Sequence, residues 1–308
     1  MSTDVPLLVA CLRITDLRPH VDPLAGTITR DRLGVALTPA DAAALEHALR
    51  LAEAWNGRVV VLAAGPASIE PVLREVAGLG VELVRLPLGD EGDGHRYVGE
   101  LAGDERQLAR ALVDAMAPFG HPSVVLCGDR SIDRGTGALP AYLAHELGAA
   151  QALGLVALAH DASPEAEGRR LIAERRLDGG WRERLSVPLP AVCSVEGAGV
   201  RLRRASLAGA LAAADTPLPV DRSLDATSAS GLLHIGAPAP FRPPTRVQPA
   251  PSASDARLRL RDLTGVQVAH DPPTVVEPGS SAEAADIVLA FLARHGYLDD
   301  TDAVGGAQ

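Results

Sequence analysis

The most constraining feature of this sequence is the change in character across residues 123–148. An apolar run at 123–127 stops at Gly128, and a polar loop rich in glycine and hydroxyl groups follows. Leucines then recur every fourth residue, at 139, 143 and 147, and Gly148 offers a helix end. The pattern predicts a buried strand, a loop and a helix. Because helix N-termini attract anions, we interpret the loop as an anion or nucleotide cradle.

Short apolar runs alternate with helix-length segments through the first half of the chain. Runs at 6–11, 58–63, 81–86 and 123–127 predict strands, and segments 41–55, 67–78 and 107–119 predict helices. This alternation is typical of an α/β protein with a mostly parallel sheet flanked by helices. In such sheets ligands bind beyond the carboxyl ends of the strands.

The second half of the chain changes pattern. Residues 171–176 and 181–187 predict a hairpin, 191–195 a strand and 207–214 a helix. We expect three parts: a nucleotide-binding α/β domain at 1–214, an extended arm or linker rich in Pro, Ser and Ala at 215–257, and a C-terminal segment at 258–308. The last part carries a terminal helix capped by Ser280 or Ser281.

Composition excludes several classes of protein. The net charge of −10 argues against nucleic-acid and anionic-lipid partners. All 29 basic residues are Arg, so Schiff-base chemistry and a Walker A lysine are excluded.

The three cysteines lack metal-ligand spacing and are expected as buried thiols, with no metal site. No run approaches the roughly 20 apolar residues of a membrane span, and no signal peptide is evident. We therefore expect a cytoplasmic protein without membrane insertion.

The loop segment also resembles a known family. GDRSIDRGTGALPAYLAHELG, at 128–148, is similar to the nucleotide loop of electron transfer flavoprotein beta subunits. Four further segments resemble that family in its own order: 38–53, 63–66, 175–196 and 203–213. Residues 261–265 and 271–273 resemble the actinobacterial branch associated with the redox peptide mycofactocin. The resemblance covers roughly the first 220 residues and implies an adenine-nucleotide alpha-hydrolase-like, Rossmann-like fold.

This resemblance implies a structural AMP site. Carried over position by position, its residues are Ala10, Thr38, Ala64, Gly65, Gly128, Ser131, Ile132, Asp133, Arg134, Thr136 and Gly137. The sequence departs from the family where Thr38 replaces Asn, Ala64 replaces Cys or Met, and Asp129 replaces Lys. Since Asp129 adds negative charge beside a phosphate, we expect weaker binding unless Arg130 or Arg134 compensates.

The resemblance further implies a subunit of a heterodimeric electron carrier and not an enzyme. FAD would be held mainly by a partner alpha subunit, because Leu17 and Ala40 stand where the family often carries aromatic residues near the flavin. Electrons would pass from a dehydrogenase, mycofactocin-linked in that branch, to a quinone-linked acceptor. Leu207 aligns with the leucine that contacts the dehydrogenase. From the residues alone, Leu207 fits a core position at the start of a helix equally well.

Two alternatives on the same fold are an adenine-nucleotide hydrolase and a stress-type nucleotide sensor. The hydrolase class needs a glycine-rich loop after the first strand, but Leu-Arg-Ile-Thr-Asp follows Cys11. The sensor needs a glycine-rich phosphate loop near the last strand, which the sequence lacks. No catalytic residue is assigned: Asp129 and Asp133 are interpreted as loop residues, and His47 and His145 are expected on helix surfaces.

Overall fold

The computed structural model of the protein describes residues 5–22, 24, 27–29, 31–87, 105–163, 168–221, 250–251, 254–264 and 275–298. The chain divides into two compact units, Met1–Arg242 and Pro243–Gln308. Most of the expected arm at 215–257, together with residues 265–274 of the C-terminal segment, lies outside the described residues.

The first unit is built around an eight-stranded sheet, and four short strands form two separate pairs. The strands in chain order are β1 (Leu7–Leu12), β2 (Ile14–Asp16), β3 (His20–Val21), β4 (Ile28–Thr29), β5 (Val35–Leu37), β6 (Arg58–Gly65), β7 (Glu82–Pro87), β8 (Val124–Gly128), β9 (Ala150–His160), β10 (Leu171–Arg176), β11 (Arg182–Val187) and β12 (Ala191–Val195). The large sheet has the order β11-β10-β9-β12-β8-β1-β6-β7, while β2 pairs with β5 and β3 with β4. The six strands from β9 to β7 are parallel, and β10 and β11 add an antiparallel edge. The predicted mostly parallel sheet is confirmed.

Helices cover both faces of this sheet. They are α1 (Pro39–Trp55), α2 (Glu70–Ala77), α3 (Glu105–Met116), α4 (Leu139–Leu147) and α5 (Leu207–Ala214). Successive side chains of a strand point to opposite faces. Thus Leu8 and Ala10 of β1 pack in the core with α1 and α2, whereas Val9 and Cys11 pack with α3 and α4. The sheet is therefore the central layer between two hydrophobic cores.

The short strands β2, β3, β4 and β5 were not predicted, and two further features of the first unit differ from the sequence-based expectation. Strand β9 was not predicted, because its alternating Ala and Leu residues suit a helix as well as a strand. His47 was expected on a helix surface, but its side chain is buried. Burial and the nearby charge of Arg50 lower the pKa of His47. Helix α1 passes over β8, β12 and β9, so this face of α1 is covered by the sheet.

The chain returns to the sheet edge after α5. The N–H of Arg85 in β7 donates to the carbonyl of Pro219 at 2.9 Å, and the N–H of Asp221 donates to the carbonyl of Arg85 at 2.9 Å. The first residues of the expected arm thus pair with β7.

The described part of the second unit is helical. It contains α6 (Ala256–Thr264), which was not predicted, and α7 (Ser281–Arg294), the predicted terminal helix. The Ser280 hydroxyl accepts from the N–H of Glu283 and caps α7. Among the described residues, the helices are too short or too polar to cross a bilayer.

Candidate functional site

A cleft opens at the carboxyl ends of β1, β6 and β8. Its floor is apolar and is formed by Cys11, Leu62, Ala64, Leu108, Leu112 and Cys127. Its rim is polar and includes Arg13, Asp41, Glu105, Arg130, Ser131, Arg134 and Thr136. An apolar floor with a few polar groups is the usual character of a small-molecule site, and this edge is where parallel sheets bind ligands.

The loop after β8 closes on itself at the rim. The N–H of Ser131 donates to the carbonyl of Thr136 at 2.8 Å, and the N–H of Gly135 donates to the carbonyl of Ser131 at 2.8 Å. Gly135 has a φ of 69°, a conformation that favours glycine. At Gly137 a β-carbon would lie 2.7 Å from the carbonyl oxygen of Asp129. The two glycines therefore allow a turn too tight for other residues.

The structure brings six of the eleven predicted AMP-site residues into the cleft. These are Ala64, Gly128, Ser131, Arg134, Thr136 and Gly137. Ala10 is buried in the opposite core, and Thr38 is buried at the start of α1. Gly65 does not line the cleft, and its carbonyl accepts from Arg85 at 3.0 Å. Ile132 is exposed and also does not line the cleft. Asp133 is not among the residues that line the cleft.

Asp133 forms an ion pair with a residue outside the loop. Its Oδ2 lies 2.7 Å from Nη2 of Arg13, just beyond β1, and only 11% of the Asp133 side chain is exposed. Thr15 also donates to this oxygen, at 3.5 Å. Asp133 therefore ties the loop to the segment that follows β1.

Asp41 is a buried carboxylate at the same edge, and the sequence analysis did not single it out. The residue is 3% exposed and belongs to the first turn of α1. Its N–H donates to the Thr38 hydroxyl at 3.0 Å, and that hydroxyl donates to the Asp41 carboxylate. Burial raises the pKa of Asp41 to about 6, against hydrogen bonds from Thr38 and from the main chain of Arg13 and Gly128. The Thr-Pro-Ala-Asp sequence is a helix-start signal that could have marked it.

Glu105 is the second rim residue that sequence reasoning missed. It begins the described part of α3, and its carboxylate accepts from the Thr136 hydroxyl and, at 3.1 Å, from the N–H of Ala138. No local pattern signals this contact, because Glu105 lies more than thirty residues before the residues it contacts.

Two cysteines meet in the cleft floor. Cys11 and Cys127 are register partners on the parallel strands β1 and β8. The contact with Cys11 and burial raise the pKa of the Cys127 thiol. Burial raises the pKa of Cys193 to about 12. All three cysteines are free and buried, which confirms that expectation. Among the described residues, no cluster of His, Cys, Asp or Glu could hold a metal ion.

Leu207 lies apart from the cleft, at the start of α5. Its side chain is 77% exposed, so the alternative of a core position is wrong. The Ser206 hydroxyl caps α5 by accepting from the N–H of Gly209 at 3.0 Å. The preceding segment is fixed by Arg203, whose guanidinium bonds the buried Glu46 of α1.

The sequence is similar to known electron transfer proteins. Residues 25–217 match the family described as electron transfer flavoprotein domain. Protein FixA of Rhizobium meliloti (strain 1021) is 31% identical over 211 residues, which cover 68% of this chain and 70% of that protein. The electron transfer flavoprotein subunit beta of Thermoanaerobacterium thermosaccharolyticum is 30% identical over 187 residues, covering 60% of this chain and 66% of that protein. The electron transfer flavoprotein subunit beta of Mycobacterium tuberculosis (strain H37Rv) is 30% identical over 174 residues, which cover 55% of this chain and 60% of that protein. This chain therefore belongs to the electron transfer flavoprotein domain family.

Proposed function

We propose that this chain is the beta subunit of a heterodimeric electron transfer flavoprotein. Its alpha-subunit partner holds most of the FAD, and the heterodimer carries electrons from a dehydrogenase to a quinone-linked acceptor. The observation that carries the proposal is the family match over residues 25–217, which contains the loop at the cleft. The segments at 261–265 and 271–273 support a mycofactocin-linked dehydrogenase as the electron donor.

The cleft supports a structural AMP site. Its apolar floor suits a purine base, and Ser131 and Arg134 offer polar groups to a ribose or phosphate. Among the described residues, Arg130 and Arg134 form no ion pair, so both guanidinium groups are available to an anion. AMP in this site would join the loop to the ends of β1 and β8 and stabilise the native subunit.

We infer no catalytic step for this chain. Among the described rim residues, the Ser131 and Thr136 hydroxyls lie 3.2 Å from each other, and the Glu105 carboxylate that accepts from Thr136 also accepts from the N–H of Ala138. We therefore interpret this carboxylate as an anchor of the loop and not as a general base. The bound flavin supplies the redox chemistry. This chain would position the partner and the nucleotide.

Co-expression with an electron transfer flavoprotein alpha subunit tests this function. We expect the isolated chain to be colourless and the purified complex to show flavin absorbance, because positions 17 and 40 carry Leu and Ala. Denaturing the complex should release AMP, which mass spectrometry would identify. A tightly bound yellow chromophore on the isolated chain would contradict the division of labour between subunits. Native complex without nucleotide would contradict the AMP site alone.

A further inference from the structure

Helix α4 begins without a cap of its own. Its N-cap residue is Ala138, which has no side-chain oxygen to accept from the first free N–H groups of the helix. Alanine is among the poorest N-cap residues for this reason. The acceptor comes instead from another element of the fold. The Oε2 atom of Glu105, at the start of α3, accepts from the N–H of Ala138 at 3.1 Å.

The second oxygen of the same carboxylate binds the loop. Thr136 donates its hydroxyl to Oε1 of Glu105. One carboxylate thus takes a main-chain N–H at the helix start and a hydroxyl of the loop, the two kinds of donor that a phosphate uses at such a position. Glu105 is held there from outside the loop, since α3 is joined to α4 by an ion pair between Arg110 and Glu146 at 3.0 Å.

We propose that Glu105 is a built-in anion that occupies the phosphate position of the nucleotide loop, so that AMP binds only when Glu105 is displaced. A carboxylate and a phosphate cannot share these donors, and their like charges repel at contact distance. The inference rests on the proposed AMP site and adds its specificity: displacing Glu105 weakens the binding of the AMP phosphate, whereas the adenosine part of AMP is bound independently of Glu105. Asp129, where the family carries Lys, acts in the same direction.

Nucleotide titrations test this specificity directly. The full-length chain and its Glu105→Gln variant are titrated with AMP and with adenosine by calorimetry at one ionic strength. We expect Glu105→Gln to bind AMP at least tenfold more tightly than the wild type, while adenosine affinity changes less than threefold. Asp114→Asn is the matched control, because it removes one carboxylate charge from the exposed face of the same helix without touching the loop. An equal gain in both variants, or no gain in Glu105→Gln, would overturn the proposal.

A second measurement separates this proposal from the proposed function. Glu105→Ala leaves the donors of Thr136 and Ala138 open to an added anion. Inorganic phosphate, compared with chloride at equal ionic strength, should raise the melting temperature of Glu105→Ala by several degrees more than that of the wild type. Equal shifts would refute the occupation of the anion position by Glu105. If phosphate stabilises Glu105→Ala but no variant binds AMP or adenosine, the AMP site is wrong and the role of Glu105 stands.

Discussion

Asp41 shows how a single residue can join three elements at the sheet edge. Its carboxylate lies at the start of α1 and accepts main-chain hydrogen bonds at Arg13, beyond β1, and at Gly128, the end of β8. A β-carbon at Gly128 would lie 3.1 Å from this carboxylate, so the glycine leaves it room. Buried polar groups in folded proteins are nearly always hydrogen-bonded, and the Asp41 carboxylate follows this rule. Asp41 therefore links the start of α1 with the ends of β1 and β8.

Asp41 should make the stability of the protein depend on pH. Burial raises its pKa from 3.8 to about 6, so the folded state binds a proton that the unfolded chain releases between these values. This contribution favours folding at low pH and is lost as the pH rises through about 6. Between pH 5 and pH 8, the wild type should lose about 1 kcal/mol more unfolding free energy than Asp41→Asn.

Chemical denaturation of both proteins at the two pH values measures this difference. Asp114→Asn, at an exposed position on α3, is the control for the loss of one carboxylate. If Asp41→Asn and the wild type lose the same free energy between pH 5 and pH 8, the raised pKa is wrong.

At the scale of secondary-structure elements, a cluster of ion pairs joins α1 to the segment before α5. We call this cluster, formed by Arg203 with Glu46 and Glu53, the clamp. The main-chain N–H and Nε of Arg203 donate to Oε2 of Glu46 at 3.1 and 3.0 Å, and Nη2 donates to Oε1 at 3.0 Å. Arg203 also bonds Glu53, which lies two turns further along the same face of α1. Burial alone would raise the pKa of Glu46, but the hydrogen bonds from Arg203 and Arg50 lower it to about 2. The clamp holds the start of α5 against α1.

Removing the clamp should destabilise the fold. Arg203→Ala leaves the Glu46 carboxylate with only its bond to Arg50, and losing hydrogen bonds to such a charged group costs roughly 1.5–3 kcal/mol. The stabilisation of a group whose pKa is lowered is present above pH 4.5 and is lost as the pH falls toward 2. The difference in unfolding free energy between the wild type and Arg203→Ala should therefore decrease as the pH falls over that range.

Arg50→Ala provides the comparison for this prediction. Its guanidinium contacts the same carboxylate at 2.8 Å but is mostly exposed. We expect Arg50→Ala to cost less than about 1 kcal/mol at neutral pH, as is usual for exposed ion pairs. Unfolding titrations that rank the two variants equally would show that Arg203 is not the principal partner of Glu46.

At the scale of the whole molecule, the cleft and α5 are separate features of the first unit. The cleft lies at the carboxyl edge of the sheet, between the starts of α1, α3 and α4. Helix α5 packs on the end of α2, where a β-carbon at Gly209 would lie 2.3 Å from the carbonyl oxygen of Gly78. This close approach leaves Leu207 and Leu211 exposed on the surface of α5. An exposed pair of leucines on a firmly packed helix suits contact with another protein.

Leu207→Ala should weaken binding of the electron donor and leave the fold intact. Because the side chain is exposed, the melting temperature should change little, as for other surface substitutions. Truncating a central interface residue costs about 2 kcal/mol or more, so the apparent affinity for the dehydrogenase should fall roughly 30-fold. The rate of flavin reduction at varied dehydrogenase concentration measures this loss.

Two leucines elsewhere in the first unit control for the change to alanine. Leu33→Ala, at an exposed leucine far along the chain from α5, should leave both stability and reduction rate unchanged. Leu73→Ala, at a fully buried leucine of α2, should cost about 2–5 kcal/mol of stability. Unimpaired flavin reduction in Leu207→Ala would exclude this leucine from the interface.

The sequence by itself determined the local elements and their class. The alternation of buried runs with helix-length segments predicted β1, β6, β7 and β8, because a strand buried on both faces is apolar throughout. The glycine loop after β8 was predicted for a similar reason, since glycine spacing and hydroxyl groups are readable along the chain. These features depend on neighbours within about ten residues.

Only the tertiary structure decided which distant residues meet. Strand β12 enters the sheet between β9 and β8, and this brings α1 across β9 and buries His47. The start of α3 reaches the start of α4, which places Glu105 on the loop, and Arg13 meets Asp133 across 120 residues. Such contacts follow from strand order and helix packing, and no periodicity in the sequence encodes them. The sequence thus determined the loop, and the fold decided which charged residues surround it.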